Sequence, residues 1–372
     1  MRILILGGTG SMGVHLTNLL KNEGHDIFVT SRSKRASSDG VTFLQGNARD
    51  TDFLNDILKR SWDVVIDFMS YGTEEFQSRM ELLLASAGQY VFLSSARVYS
   101  QSTVPITEET PRLLDVSTDE AYLKTDEYGL AKARQENLLR DSGRKNWTVI
   151  RPSITFSEDR LQLGVLEKEA WLYRSLHGRS IVFSDDIAGK VTTLTYGLDV
   201  AEGIAAIVAD PKALGAIFHI TSEESFLWND VLSLYLDVME RQLGKRPKVV
   251  MAKKAPSLKF SKYQVIYSRY FDRRFDNHKI AQFVAVNDFH DVEQSLAQCL
   301  EAFLSKPVFR PINWKLEAAN DRVAGEFTPL GEIPGLKTKI EYLAERFRLS
   351  FVLNRVKAVY RLSPLKLNLS DR

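Results

Sequence analysis

"LILGGTGSMGVHL", residues 4–16, decides the fold. The run "RILIL" at 2–6 reads as a strand buried on both faces, as in a parallel sheet. Glycines follow at 7, 8, 10 and 13, and Val14, Leu16, Leu19 and Leu20 then fall at helical spacing up to Gly24. The predicted order is strand, glycine turn, helix. In that order Gly7 permits a sharp turn, Gly10 lets a pyrophosphate approach the backbone, and Gly13 lets the helix pack on the strand. The helix N-terminus supplies free N–H groups and partial positive charge. The expected contacts to a dinucleotide are therefore Gly7, Thr9, Gly10, Ser11, Met12 and Gly13. The alternative is a plain tight turn, so the rest of the chain must decide.

Further strands are expected at "DIFVTSR", at "VTFLQ" from 41, at "DVVIDFM" over 63–69 and at "QYVFLSSARVYS" over 89–100. Strands alternating with helices predict an α/β fold, a doubly wound parallel (Rossmann) sheet whose ligand lies beyond the carboxyl ends of the strands. About 20 residues past the glycines, where an acid would accept both adenine-ribose hydroxyls of NAD, stand Ser31, Arg32, Ser33, Lys34 and Arg35. Hydroxyl and guanidinium there suit a 2′-phosphate, so NADP is favoured over NAD; a solvated basic loop is the competing reading. Asn47 is a candidate for the adenine, and Phe68 and Met69 either line the adenosine pocket or belong to the core.

"YGLAK" at 128–132 turns binding into chemistry. Tyr128 and Lys132 are four apart in a predicted helix and share one face. A free phenol, with a pKa near 10, is a poor base. A cation ~4 Å away is worth about 4 kcal/mol at an effective dielectric of 20, which predicts that Lys132 lowers the Tyr128 pKa. Ser95, tipping the fifth strand, would bond the same substrate oxygen.

These stretches resemble the extended short-chain dehydrogenase/reductases, in particular the NAD(P)-dependent epimerase/dehydratase family. The resemblance rests on "GGTGSMG" at 7–13, "FLSSARVYS" at 92–100, "YGLAK" and "VIRPS" at 149–153. It continues more weakly through "YGLDVAEGIAAIV" at 196–208, "GAIFHITSEESFLWNDV" at 215–231 and "FDNHKI" at 275–280, roughly the first 305 residues. It implies hydride exchange between a sugar carbon and nicotinamide, with Ser95, Tyr128 and Lys132 catalytic and Lys132 also on the nicotinamide ribose. It implies substrate contacts at Ser95, Ala96, Arg97 and Ser153, a nucleotide-sugar substrate and a homodimer. Ala96 and Arg97 replace the acidic pair of the 4,6-dehydratases, so a 4-ketoreductase or epimerase is expected. The family arginine that grips the nucleotide diphosphate before "YGLDVA" is missing: Thr192 stands near that place, with Lys190 the nearest cation. A binding role toward RNA or NADPH, and reduction of a non-sugar carbonyl, are the alternatives.

Other features bound the reading. Lysine plus arginine number 49 against 47 acids, so no overall field draws the chain to DNA. The lone Cys299 reads as a small buried hydrophobe. The six histidines show no metal-ligand spacing, and no metal is expected. No run approaches the ~18 apolar residues of a membrane span and no leader is seen, which suggests a cytoplasmic protein. The expected division is a dinucleotide-binding core at 1–155, an interleaved substrate portion with the last core elements at 156–310, and a basic helical extension at 311–372. Trp171 and Tyr173 either touch substrate or pack the core, and His177 before Gly178 reads as a helix end. "TEETPRLLDVSTDEAYLKTDEY" at 107–128 is either a lid or a surface insertion. "KFSKYQVIYSRYFDRRF" at 259–275 interleaves cations and rings, as a base-stacking surface or a helical face with extended arginines would. "GKRPKVV" at 244–250 reads as solvated charge. Finally, 341–363 places Leu343, Phe347, Phe351 and Val352 near helical spacing, and from Leu336 onward nine cations face three acids. That stretch either lies on an anionic membrane or docks on its own protein.

Overall fold

The computed structural model describes residues 1–349 and Phe351. Seven parallel strands form the central sheet: β1 (Arg2–Leu6), β2 (Asp26–Ser31), β3 (Val41–Gln45), β4 (Trp62–Asp67), β5 (Ala87–Leu93), β6 (Trp147–Ile150) and β7 (Ala216–Phe218). Their spatial order is β7-β6-β5-β4-β1-β2-β3. The order reverses between β1 and β4, the point beyond whose carboxyl ends sheets of this kind bind their ligands. Each strand pair is parallel, for example Ile3 opposite Val64 and Ile27.

Side-chain alternation along β1 explains its unbroken apolar run. Ile3 and Ile5 pack on one face with Leu16, Leu20, Val200 and Ile204, from α1 (Gly13–Asn22) and the helix Gly197–Ile207. Leu4 and Leu6 pack on the other with Leu54, Phe76, Leu83 and Leu139, from α2 (Thr51–Ile57), α3 (Thr73–Ala85) and α4 (Tyr128–Asp141). Helices on both faces are what a parallel sheet requires. The caps agree with the sequence: Asp50 accepts from the Phe53 N–H at 2.9 Å before α2, and Glu74 and Glu75 sit in the positive first turn of α3.

The second half builds its own core from α5 (Lys168–Leu176), α6 (Trp228–Leu243) and α7 (Val292–Ser305). Trp171 is fully buried and stacks on Tyr235 at 4.7 Å, so it is core; Tyr173 packs against Phe309 and Trp314. Cys299 is buried on α7. His177 closes α5 with Nδ1 2.8 Å from the Tyr173 carbonyl, and Gly178 takes φ 75°. Residues 249–252, at the end of "GKRPKVV", add a strand paired in parallel with Ile181–Ser184, an element the charged composition hid.

The extension is a helical hairpin, α8 (Trp314–Ala324) and α9 (Leu336–Arg346), docked on this half by buried charge. The Arg174 guanidinium meets Glu317 at 2.8 Å, Asp321 at 3.0 Å and Glu326 at 2.9 Å, and Arg179 meets Glu317 at 3.1 Å and Glu332 at 3.0 Å. The described part of the extension, up to Arg346, thus docks against the protein's own body. Within the described residues the helical spacing is interrupted: α9 stops at Arg346, and Arg348 takes φ 60°. Leu343 packs into the hairpin, while Phe347 and Phe351 are exposed. Val352 and the basic residues after it lie outside the described residues. No described helix is long and apolar enough to cross a membrane.

Arg174→Met would strip the guanidinium from three interface carboxylates and leave Asp321 and Glu326 without one, a loss of about 3–5 kcal/mol. The variant should unfold at lower urea and expose residues 311–346 to protease, whereas an unchanged midpoint would show that the network adds nothing.

Candidate functional site

The glycine turn is built as its spacing predicts. Gly7 has φ +70°, and a Cβ there would lie 2.9 Å from the Met69 sulfur. Its N–H donates to Thr30 Oγ1 at 3.0 Å, which pins the turn to the end of β2. A Cβ on Gly13 would come within 2.5 Å of the Gly8 carbonyl, so α1 abuts the turn as closely as backbone allows. Around Gly10 nothing lies within 4 Å of a Cβ position, leaving one open face of backbone at the start of α1. Thr9 and Gly10 are exposed, and Ser11 and Met12 half-buried. At the carboxyl end of β2 Ser31 is buried with its hydroxyl on the Ser33 carbonyl, and Arg32 through Arg35 are exposed. Asn47 is exposed and accepts from the Arg49 N–H at 3.1 Å. Phe68 and Met69 are half-buried and pack against opposite faces of the sheet core.

Beyond β5 the two serines part. Ser94 is buried and donates to Glu136 Oε1 at 2.6 Å. Ser95 faces a cavity of about 320 Å³, lined also by Met12, Ala96, Arg97, Tyr128, Ser153, Arg160, Glu167, Thr192, Trp228, Arg269 and Arg273. Tyr128 opens α4 and keeps 36% of its surface open to this cavity. Lys132, one turn on, is buried, with Nζ 4.4 Å from the Phe92 ring centre and 6.0 Å from that of Tyr128. Among the described residues that Nζ has no hydrogen-bond partner. Glu136, one turn further, is fully buried and takes Arg151 at 2.9 and 2.7 Å and Arg112 at 3.2 Å.

The electrostatics correct one expectation. Burial raises the Tyr128 pKa, and the cation that chiefly opposes it is Arg97, 5.0 Å from the ring centre, followed by hydrogen bonding from Ser95. Lys132 does not hold the phenol below its ordinary value. Its own amine is pulled down by burial to about 8, against the charge of Asp67 and then Glu136. Asp67, at the end of β4, is itself raised by burial, against the Met69 N–H at 2.9 Å and the Tyr90 hydroxyl at 2.8 Å.

Residues 265–275 bring two cations to the cavity that Thr192 also lines. Val265–Arg269 forms one π-helical turn, with the Tyr270 N–H donating to the Val265 carbonyl at 3.0 Å. Arg269 is held by the Gly164 carbonyl at 2.8 Å and Ser268 Oγ at 2.7 Å; Arg273 by the Ser100 and Tyr99 carbonyls, each at 3.0 Å. Both are buried and neither pairs with a carboxylate among the described residues. Burial, then repulsion from Arg97 and Arg160, brings Arg269 to about 9; burial brings Arg273 to about 10. Both stay charged at neutral pH. The interleaved rings serve a different end, since Tyr267 stacks on Tyr122 at 4.2 Å and donates to Asp119 at 2.7 Å, which fastens the acidic insertion to this segment. Sequence reasoning missed Asp67, Arg160, Arg269 and Arg273; the cation-and-ring run at 259–275 was the available signal.

A buried amine at about 8, against an ordinary 10.5, means that the unfolded chain binds more protons between those values. Stability from this group therefore rises as pH rises through that window. Lys132→Met should abolish the rise and raise the melting temperature at pH 7 by about 2–4 °C per kcal/mol relieved. Melting curves at pH 7 and pH 10 test this.

Residues 3–220 match the model of the NAD dependent epimerase/dehydratase family. The chloroplast stem-loop binding protein of 41 kDa b from Arabidopsis thaliana is 28% identical over 240 residues, 60% of this chain and 59% of that protein. The 2'-dehydrokanamycin reductase of Streptomyces kanamyceticus is 23% identical over 239 residues, 62% of this chain and 64% of that protein. The chain thus spans less than two thirds of the length of these curated relatives. The UDP-glucuronic acid 4-epimerase of Bacillus cereus, solved with UDP-glucuronic acid and NAD, superimposes with a TM-score of 0.62 at 16% identity, over 82% of this chain and 99% of that one, a likeness of fold. With its matched segment spanning the parallel sheet, the glycine turn and the Ser95–Tyr128 wall of the cavity, the chain belongs to the NAD-dependent epimerase/dehydratase family.

Proposed function

We propose that the chain is an NADP-dependent oxidoreductase of a nucleotide-activated sugar, a 4-ketoreductase or epimerase, with Ser95, Tyr128 and Lys132 as its catalytic group. The observation that carries this reading is one cavity with Ser95 and Tyr128 on one wall and two buried, carboxylate-free guanidiniums, Arg269 and Arg273, on another. Two fixed cations beside a proton-transfer pair suit a sugar carried on a diphosphate.

The residues fit a dinucleotide. The open backbone at Gly10 leaves room for a pyrophosphate, and the orphaned Lys132 Nζ is a buried donor awaiting an acceptor. Gly7, Thr9, Gly10, Ser11, Met12 and Gly13 would hold the phosphates, Asn47, Phe68 and Met69 the adenosine, Ser31 and Arg32 a 2′-phosphate, and Lys132 the nicotinamide ribose. When bound, the nicotinamide supplies or accepts the hydride. Tyr128 moves the proton: its hydroxyl gives one to a carbonyl oxygen being reduced, or its phenolate takes one from a hydroxyl being oxidised. Ser95 donates a hydrogen bond to that oxygen, and Arg97 offsets the phenolate charge. Ala96, Arg97 and Ser153 would contact the sugar. Dehydration is disfavoured because Glu167, engaged by Gln162 and Arg160, is the one carboxylate among the described residues lining the cavity.

A second reading, RNA binding, is favoured by the likeness to the stem-loop binding protein. Tyr128→Phe separates the two: turnover should fall about 10²–10⁴-fold with dinucleotide affinity kept, whereas RNA binding should not move. The dinucleotide released on denaturation, and titration with NADPH and NADH, test the cofactor. NADPH bound at least about tenfold better, with Arg32→Ala erasing the preference, supports a ketoreductase. Tightly retained NAD would instead indicate an epimerase and remove Arg32 from this role.

A further inference from the structure

Among the cations of the cavity, Arg97 is the one beside Tyr128. It stands two residues after Ser95, its guanidinium carbon 5.0 Å from the Tyr128 ring centre. A sugar whose reacting oxygen lay between Ser95 and Tyr128 would present its neighbouring substituents to this group. One guanidinium nitrogen, Nη2, donates to Glu127 Oε1, and among the described residues no other N–H of the fork has a protein acceptor.

Glu127 is only a partial counter-charge. Its second oxygen accepts from the Gly129 N–H at 2.8 Å and the Tyr122 hydroxyl at 3.4 Å, so the carboxylate caps α4 and is offset by the helix's positive end. Arg97 is thus aimed by Glu127 rather than neutralised by it. The deeper arginines differ, because protein carbonyls hold Arg269 and Arg273 and the diphosphate read above would match their charge. A neutral sugar would offer the Arg97 fork single hydroxyl acceptors and no charge, whereas a planar carboxylate takes two parallel N–H bonds from it and supplies the opposite charge.

We propose that the sugar bound here carries a carboxylate beside its reacting carbon, so that the substrate class is a nucleotide-linked uronic acid selected by Arg97. This deepens the nucleotide-sugar reading and rests on it.

Calorimetric titration of the full chain, loaded with NADP, with UDP, UDP-glucose and UDP-glucuronate tests both separately. UDP-glucuronate should bind at least about tenfold more tightly than UDP-glucose. Arg97→Met should bring that ratio close to one, and Arg97→Lys should keep part of it. Glu127→Gln, which retains a carbonyl for the Gly129 N–H, should widen it. UDP binding reports whether each variant is folded; if Arg97→Met is not, the other two variants carry the test. Equal affinities of the wild type for the two sugars, or a ratio that Arg97 substitution leaves unmoved while UDP binds, overturns the uronate proposal alone. Failure of UDP itself to bind overturns the nucleotide-sugar reading, and the proposal with it.

Discussion

The geometry around Tyr128 depends on one buried carboxylate. Glu136 accepts from Ser94 at the end of β5, from Arg151 just after β6, and from Arg112 in the acidic insertion, while lying on the same helix as Tyr128 and Lys132. Burial alone would protonate such a group, but the hydrogen bonds and charge of Arg151 more than reverse that and keep its pKa low. Ser95 and Tyr128 belong to segments far apart in sequence. Glu136 is where those segments meet, and losing either partner would leave an uncompensated charge in the core. Above it sits Lys132, buried and without a hydrogen-bond partner for its Nζ among the described residues. Cohesion below and an unmet donor above are one division between scaffold and site.

How much of this was legible in the sequence follows from distance along the chain. The glycine turn, the first strands and the Tyr128–Lys132 spacing are local patterns of period two or 3.6, and the structure reproduces them. Ser95, just beyond β5, was legible as a candidate, but that Ser94 beside it turns inward to Glu136 was not. What could not be read was the meeting of residues 95–97, 160 and 269–273, because no periodicity reports contacts over such separations. The Tyr128 ionisation departs from expectation for a related reason. A four-residue spacing says that Lys132 shares a helix face, but not that the amine turns toward Phe92 and Asp67 while Arg97 takes the place beside the phenol.

The extension shows a different limit. Its cation excess from Leu336 onward invited an external partner, yet the hairpin is seated by acids on and between α8 and α9, gripped by Arg174 and Arg179 on α5 and just beyond it. A cation count over the end of the chain is silent about docking that the acids before it make with arginines about 140 residues away. Burying so many ions is weak as a source of stability, but it is demanding in geometry, and it sets the hairpin in one orientation.

The π-helical turn at Val265–Arg269 carries a consequence for how this cavity could change over generations. A helix turns by about 100° per residue, so deleting one residue from that turn would restore ordinary winding and swing the following side chain to another face. Arg269 would leave the cavity while the sheet, the glycine turn and Tyr128 stayed where they are. The charge lining the cavity is thus set by a local winding irregularity at the margin of the second half's core, where Val265 is buried, and a single codon gained or lost there could alter it without a new fold.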